Sequence, residues 1–137
     1  MPNEQNQTKT TQQAAQTAVV PSCQTNVTLL SGCYGWIAVG SVGPDSNKVQ
    51  TKAVGYFNFH DKTVSGSYEG SFGGTPVFKT LSNGNVTSNQ NHFGAITITD
   101  NEVFVLNFDF VMVDGGKVLY LVNRDAGALQ TLTATKV

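Results

Sequence analysis

The strongest structural signal in this chain is the segment Val103-Phe104-Val105-Leu106-Asn107-Phe108-Asp109-Phe110-Val111-Met112-Val113. Its even-numbered positions carry Phe, Leu and Met, and its odd-numbered positions carry Val, Asn and Asp. Successive side chains of a β-strand point to opposite faces, so this alternation predicts a strand with one wholly apolar face. A face of that size must be covered, which requires a closed sheet or a second sheet packed against it.

The residues on either side of this strand predict more strands. The turn Asp114-Gly115-Gly116 and the apolar run that follows it are typical of a β-hairpin. Residues 81–90 are predicted to be a polar loop with its turn at Ser82-Asn83-Gly84-Asn85, and no helix is predicted after residue 20. The other predicted strands cover, approximately, residues 27–42, 49–59, 63–70, 76–80, 92–99, 117–123 and 128–136.

The predicted fold class is all-β: a single antiparallel meander of roughly eight strands closed into a barrel. An eight-stranded barrel has an interior wide enough for side chains or for one small ligand. A two-sheet β-sandwich fits the same pattern and remains the alternative. Residues 1–21, rich in Gln, Thr and Asn and without aromatics, are predicted to be a polar tail or a lid, and residues 22–137 the barrel domain.

Composition narrows the classes of partner. The chain has 137 residues, 12% of them charged, and a formal net charge of −1 without a basic stripe, so a nucleic-acid partner is not predicted. It contains no apolar run long enough to span a membrane as a helix. The N-terminus lacks the pattern of a secretory signal, which leaves a cytoplasmic protein and a processed secreted form both open.

The cysteines and histidines do not predict a metal or a cofactor. Cys23 and Cys33 could form a disulfide in an oxidising compartment or remain two reduced thiols. His60 and His92 lie far from both, which is not the close-pair spacing of a zinc site. The paired glycines lead into strands rather than into a helix that could hold a phosphate.

Aromatic side chains supply the first group of candidate ligand-binding residues. In a barrel, the same residues form both the core and the walls of any cavity, so the sequence alone does not separate the two roles. The aromatic candidates on these strands are Tyr34, Trp36, Phe108, Phe110 and Tyr120.

Asp109 is a candidate because it interrupts an apolar strand. If the Phe-rich face points inward, Asp109 and Asn107 lie on the solvent side and only improve solubility. If the opposite face points inward, Asp109 lies in an apolar cavity with a raised pKa suited to proton transfer.

A third group of candidates combines Tyr56, Asn58 and His60 on one strand with Tyr68 and Glu69 on the next. Together these residues are able to line a cavity mouth, where a His beside a Glu acts as an acid/base pair. In the alternative interpretation, His60 belongs to a turn and Glu69 is a solvated surface charge.

Several motifs resemble a known group of proteins. Leu30-Ser31-Gly32-Cys33-Tyr34 and the following Trp36 resemble the opening of calycin-type barrels of the lipocalin/avidin type. The rhythm of residues 55–66 and the strand of residues 108–113 resemble small bacterial β-barrel proteins of uncharacterised function. The resemblance implies an interior ligand site. It also implies that Arg124 stacks across Trp36, as an Arg near the last strand does in lipocalins.

Three functions remain open at this point. The first is a module that binds an apolar or aromatic small molecule inside the barrel. The second is a barrel cyclase or isomerase, in which the cavity folds a flexible apolar substrate, so whether the protein is an enzyme is left undecided. The third is a structural or interaction protein that assembles through its Thr/Asn-rich exterior or through an exposed strand edge. The oligomeric state is not predicted.

Overall fold

Eight β-strands in chain order make up 77% of the residues that the structure describes. The structure, a computed structural model, describes residues 30–88, 93–101 and 103–137. Short 3₁₀ turns lie at Asp45–Asn47 and Asp114–Gly116. The strands are β1 Gly32–Val42, β2 Val49–His60, β3 Thr63–Phe72, β4 Thr75–Ser88, β5 Gly94–Asp100, β6 Phe104–Val113, β7 Val118–Asn123 and β8 Ala128–Lys136.

The sheet closes on itself. Each strand pairs antiparallel with the next, and β8 returns to pair with β1, Val42 opposite Ala128 and Tyr34 opposite Lys136. The prediction of a meander barrel is confirmed, and the sandwich alternative is wrong. Because closure pairs both outer strands, none of these eight strands has a free edge, and assembly through an exposed strand edge is not available to them.

The apolar face of β6 points into the barrel, which is the first of the two orientations considered from the sequence. Phe108, Phe110 and Met112 are buried, whereas Asp109 between them lies half-exposed on the outer face. Phe104, on the same inward-facing series, is 62% exposed because it lies at the rim of the barrel.

The predicted polar loop over residues 81–90 is wrong where the structure describes it. β4 continues to Ser88, and Leu81 and Val86 point into the core. The pairing of β4 with β5 shifts its register between Ser82 and Asn85, and Asn83 adopts a positive φ of 54°. A β-bulge accommodates an extra residue within a strand, and asparagine tolerates the left-handed backbone that the bulge requires. The turn-like composition of this segment therefore marks a bulge and not the end of the strand.

The remaining differences concern strand ends. β1 begins at Gly32, and β5 extends one residue beyond the prediction, to Asp100, which places the Asp100 side chain on the inward-facing series. Residues 1–29, with Cys23 and the predicted tail or lid, and residues 89–92, with His92, lie outside the described residues. The division into tail and barrel therefore stays a prediction, as does the disulfide.

One end of the barrel is filled by side chains. This closed end is where β1 begins and where the β2–β3 and β6–β7 turns lie. The Tyr34 hydroxyl donates a hydrogen bond to the Gly116 carbonyl of the β6–β7 turn, and burial raises the pKa of that hydroxyl. The buried side chains of the closed end are Tyr34, Phe59, Val64, Val86, Ile96, Phe110, Met112 and Leu119.

Candidate functional site

The opposite, open end of the barrel contains a cavity of about 610 Å³. The β1–β2, β3–β4, β5–β6 and β7–β8 turns surround its mouth. The cavity is lined by Trp36, Ala38, Val42, Gly43, Ala53, Phe57, Tyr68, Phe72, Leu81, Asp100, Phe104, Val105, Leu106, Phe108, Asn123, Asp125, Ala126, Gly127, Ala128, Gln130 and Leu132.

Small side chains on the inward-facing positions make room for this cavity. Along β1 the inward series runs from Tyr34 at the closed end through Trp36 on the cavity floor to Ala38 nearer the mouth. On the neighbouring strands, Ala53 and Ala128 also face the cavity. The strands are continuous from one end to the other, so the change in side-chain size creates the empty space.

Aromatic rings form the floor of the cavity. The Trp36 ring centroid lies 5.4 Å from that of Phe57 and 5.7 Å from that of Tyr68. Phe57 contacts Phe108 edge-on at 6.4 Å and Phe59 of the closed end at 5.9 Å. These separations lie in the range of favourable aromatic pairs, so the floor is a connected and well-packed surface.

The absence of a side chain at Gly55 allows two of these rings to meet. In the register of the sheet, Trp36 pairs with Gly55, which in turn pairs with Tyr68. A Cβ atom on Gly55 would lie 2.6 Å from Trp36 Cζ2 and 2.6 Å from Tyr68 Cβ, closer than real contacts allow. The glycine therefore positions Trp36 against Tyr68 across the intervening strand.

A buried carboxylate lies on the wall beside Tyr68. Asp100 is 5% exposed, and the Tyr68 hydroxyl donates a hydrogen bond to Asp100 Oδ2 at 3.0 Å. Burial, then the negative charge of Asp100, then this hydrogen bond raise the pKa of Tyr68, so its phenol stays protonated at neutral pH. Lys79 Nζ, on a side chain 31% exposed, lies 4.0 Å from Asp100 Oδ1.

The polar side chains nearer the mouth bind one another. The backbone N–H and the Nδ2 of Asn107 donate to Asp125 Oδ2 at 3.0 Å and to Asp125 Oδ1 at 2.8 Å. Asn123 Nδ2 donates to Gln130 Oε1 at 2.8 Å, and the Asp125 N–H donates to Asn123 Oδ1 at 2.9 Å. Gln130 Nε2 donates to Thr51 Oγ1 at 3.0 Å. This network fixes the β7–β8 loop at the rim.

Five of the residues selected from the sequence point into the barrel. Trp36, Tyr68 and Phe108 line the cavity. Tyr34 and Phe110 are buried at the closed end, below the aromatic floor, where they fill space rather than face the cavity.

The other five, Tyr56, His60, Asp109, Tyr120 and Arg124, lie on the outer face and do not line the cavity. Tyr56 and Tyr120 are exposed, and the His60 side chain is 89% exposed, its Nε2 lying 3.4 Å from Asp61 Oδ2. The Nε of Arg124 lies 3.1 Å from Asp109 Oδ1, so Arg124 pairs with that carboxylate outside the barrel and not with Trp36 inside it.

Of the two interpretations of these residues, the structure agrees with the one in which His60 lies beside a turn and Glu69 is a surface charge, and it does not bring Tyr56, His60, Tyr68 and Glu69 together at one cavity mouth. On β2 the inward positions belong to Phe57 and Phe59, which sends Tyr56, Asn58 and His60 outward. On β3 the inward position belongs to Tyr68, which sends Glu69 outward. The carboxylate beside Tyr68 is Asp100, from a more distant strand.

Asp100 is one of the cavity residues that sequence reasoning missed. It shares its parity with Ile96 and Ile98, both fully buried, so extending the predicted strand by one residue would have placed it inside. The small residues Ala38 and Ala53 were also missed. The sequence feature that indicates them is the decrease in side-chain size toward the mouth along the inward-facing positions of β1 and β2.

The described residues were also compared with the requirements of a metal site and of a membrane-spanning helix. Among them no group of three His, Cys, Asp or Glu side chains is arranged to hold a metal ion, and the Cys33 side chain is exposed. In that same part of the chain, no helix has the length and hydropathy needed to cross a membrane.

No protein-family model, curated protein or solved structure matches this chain. The eight-stranded antiparallel barrel is consistent with a calycin-like protein. Membership of that group and a bacterial origin stay predictions.

Proposed function

We propose that the open end of the barrel binds an apolar or aromatic small molecule. The cavity volume of about 610 Å³ lies within the range of roughly 300–1,000 Å³ typical of ligand pockets. Its floor is aromatic and most of its lining residues are apolar, with a small number of polar groups on the wall beside Tyr68 and at the rim. That combination is typical of sites for small organic molecules.

The observation that carries this proposal is the contrast within one continuous set of strands. Protein interiors are close-packed, and empty space among core side chains costs stability. Here the closed end is filled, while the inward positions near the mouth carry alanine where larger side chains would fill the space. A ligand that occupies the open end recovers the contacts that those small residues forgo.

The experiment is a titration with N-phenyl-1-naphthylamine, an uncharged dye whose fluorescence increases in apolar surroundings. Trp36 is the only tryptophan of the chain and forms part of the cavity floor. We expect saturable dye fluorescence together with energy transfer from Trp36, because a dye in the cavity lies directly against the indole.

A cavity-filling variant and a matched control locate the bound dye. Ala53→Phe places a ring in the cavity, whereas Val54→Phe places the same ring on the outer face one residue later. We expect Ala53→Phe to abolish the saturable signal and Val54→Phe to retain it. The proposal would be overturned if the two variants gave equal saturable dye fluorescence, or if the unaltered protein showed no saturable dye binding.

The cyclase or isomerase alternative uses the same cavity. Tyr68 and Asp100 are the adjoining titratable groups on its wall, and the raised pKa of Tyr68 makes its phenol a hydrogen-bond donor rather than a base. Chromatography and NMR spectroscopy of a molecule released from the protein after incubation, which distinguish isomers of equal mass, separate the two functions. Recovery of the unchanged molecule supports binding alone, and recovery of an isomer supports catalysis.

A further inference from the structure

The β5–β6 turn and the start of β6 carry three consecutive exposed apolar residues. Val103, Phe104 and Val105 are 70%, 62% and 56% exposed. Along a strand, exposed side chains normally alternate with buried ones, and a run of three exposed apolar residues is unusual unless it has a function. These three residues are called the apolar tip below.

The described turns at the closed end have a different composition. The β2–β3 turn contains Asp61 and Lys62, and the β6–β7 turn begins at Asp114 and is followed by Lys117. Charged side chains of this kind favour contact with water. Of the turns that the structure describes, only the β5–β6 turn at the open end belongs to a run of three exposed apolar residues.

The apolar tip is continuous with the cavity. Phe104 and Val105 are exposed at the rim and also line the cavity. Val42 and Phe72, at the ends of β1 and β3, line the cavity as well. An exposed apolar patch marks a site of interaction, and this patch lies where a ligand would enter the barrel.

Charge does not favour an anionic partner at this end. The described residues that line the cavity include no lysine, arginine or histidine. Lys48 Nζ, beside the mouth, lies 3.6 Å from Asp45 Oδ1 and donates hydrogen bonds to two backbone carbonyls. Glu102, between the residues of the tip in the sequence, adds a negative charge to this part of the chain. The attraction that the tip offers is therefore apolar.

The position of the tip at the mouth decides which kind of partner fits it. A second copy of the chain, or another protein, would close the opening through which a ligand enters if it packed against the tip. A lipid membrane covers apolar side chains equally well, and its interior dissolves apolar molecules. Contact with a membrane would therefore connect the cavity to a store of its ligand.

We propose that the apolar tip docks the open end of the barrel on a lipid membrane, and that the cavity exchanges its ligand directly with the membrane interior. The exchange rests on the proposed function, whereas the docking depends only on the tip. Because apolar area drives the docking, we expect binding to zwitterionic vesicles that depends little on salt and does not increase with anionic lipid.

The first test is co-sedimentation with vesicles of dioleoylphosphatidylcholine. Val103 does not line the cavity, so Val103→Asp places a charge on the tip and leaves the cavity walls unaltered. Val54→Asp is the matched control, because Val54 is 57% exposed on the outer face of β2. We expect Val103→Asp to weaken vesicle binding by about tenfold or more, since a charge is costly within the lipid, and Val54→Asp to retain it. Both variants should bind N-phenyl-1-naphthylamine as the unaltered protein does, which shows that they are folded.

The second test follows the exchange itself. Protein loaded with N-phenyl-1-naphthylamine is mixed with the same vesicles, and loss of energy transfer from Trp36 reports release of the dye. If the dye passes directly into the membrane, the release rate should increase in proportion to vesicle concentration, and Val103→Asp should slow it by about tenfold or more. A rate that does not depend on vesicle concentration means that the dye leaves through water, which would overturn direct exchange.

The outcomes separate this proposal from the proposed function. Saturable dye binding without vesicle binding would leave the proposed function intact and overturn the docking. Vesicle binding without dye binding would support the docking and overturn the exchange together with the proposed function. Equal weakening by Val103→Asp and Val54→Asp, or vesicle binding that requires dioleoylphosphatidylglycerol, would contradict docking through the tip. Self-association that Val103→Asp abolishes would assign the tip to contact between copies and overturn the proposal.

Discussion

The two ends of the barrel use the same strands for different purposes. At the closed end the inward positions carry rings and branched chains, and the Tyr34 hydroxyl reaches a backbone carbonyl of the adjacent turn. At the open end alanine residues leave a cavity, and a carboxylate and an indole each keep one polar atom unpaired. Closure of the sheet holds both ends together, so a fully packed region supports a region that is left unfilled.

In this arrangement the closed end contributes packing to the fold, and the open end contains the proposed ligand site. Side chains at the closed end gain from burial and from contacts with their neighbours on every side. Inward side chains at the open end face the cavity and make fewer such contacts. Equal substitutions at the two ends should therefore have unequal effects.

The largest difference is expected between two of the three phenylalanines that share the inward face of β6. Phe110, 1% exposed, occupies the space that a side chain on Gly94 would otherwise take, whereas Phe104 lies at the mouth. Phe110→Ala should lower the free energy of unfolding by about 3–5 kcal/mol, the usual cost of emptying a core phenylalanine site. Phe104→Ala should lower it by less than about 1 kcal/mol.

Denaturant titration measures both values, provided that the slope against denaturant concentration stays unchanged. Comparable losses for the two variants would mean that the open end is packed as tightly as the closed end. That result would remove the contrast on which the proposed function depends.

A smaller difference is expected from enlarging an alanine at each end. Ala134 is fully buried and lies between Trp36 and Leu119 in the register of the sheet, whereas Ala38 lines the cavity. Ala134→Leu should destabilise the protein by about 1–3 kcal/mol, because overpacking displaces its neighbours. Ala38→Leu adds apolar atoms to open space and should leave the free energy of unfolding unchanged or slightly higher.

The same pair also sharpens the binding model. Ala38→Leu should weaken binding of N-phenyl-1-naphthylamine while the protein remains stable. Ala134→Leu should lower the free energy of unfolding and leave dye binding to the folded protein unchanged. A variant at Ala38 that loses stability but not binding would show that the cavity closes around Ala38 in solution.

Much of this architecture is predictable from alternation alone. The size contrast between the two faces of β6 identifies the inward series correctly, because three aromatic side chains on one face outweigh a single carboxylate on the other. The β4 segment is not predictable in this way. A run such as Ser82-Asn83-Gly84-Asn85 has the same composition in a turn and in a bulge, and only its pairing with β5 decides between them.

The candidate site is predictable in part for a related reason. Trp36, Tyr68 and Phe108 follow from strand parity, because each lies on an inward-facing series. The contact of Tyr68 with Asp100 joins residues 32 positions apart and depends on the register of three strands, which local patterns do not contain. The exact residue at which β5 ends decides whether Asp100 counts as a turn or a wall residue.

The smallest expected effect concerns the two buried tyrosines, one at each end. Burial alone raises the pKa of Tyr34, whereas burial, the charge of Asp100 and a hydrogen bond to it raise that of Tyr68. Both tyrosines are protonated in the folded state at pH values where unfolded tyrosine, with its ordinary pKa of 10.0, ionises. Their contribution to stability is therefore complete below pH 10.0 and is lost progressively as the pH rises above it toward the folded pKa.

Replacing Asp100 by Asn separates the two causes. Asp100→Asn removes a negative charge next to Tyr68, so it should lower the pKa of Tyr68 toward the value that burial alone sets, and it should leave the pKa of Tyr34 unchanged. Tyrosinate absorbance followed against pH measures this shift, with Tyr34→Phe and Tyr68→Phe variants assigning each transition. Equal shifts for both tyrosines would mean that the carboxylate acts across the whole barrel rather than on the open end alone, because a local charge decays with distance through the packed closed end.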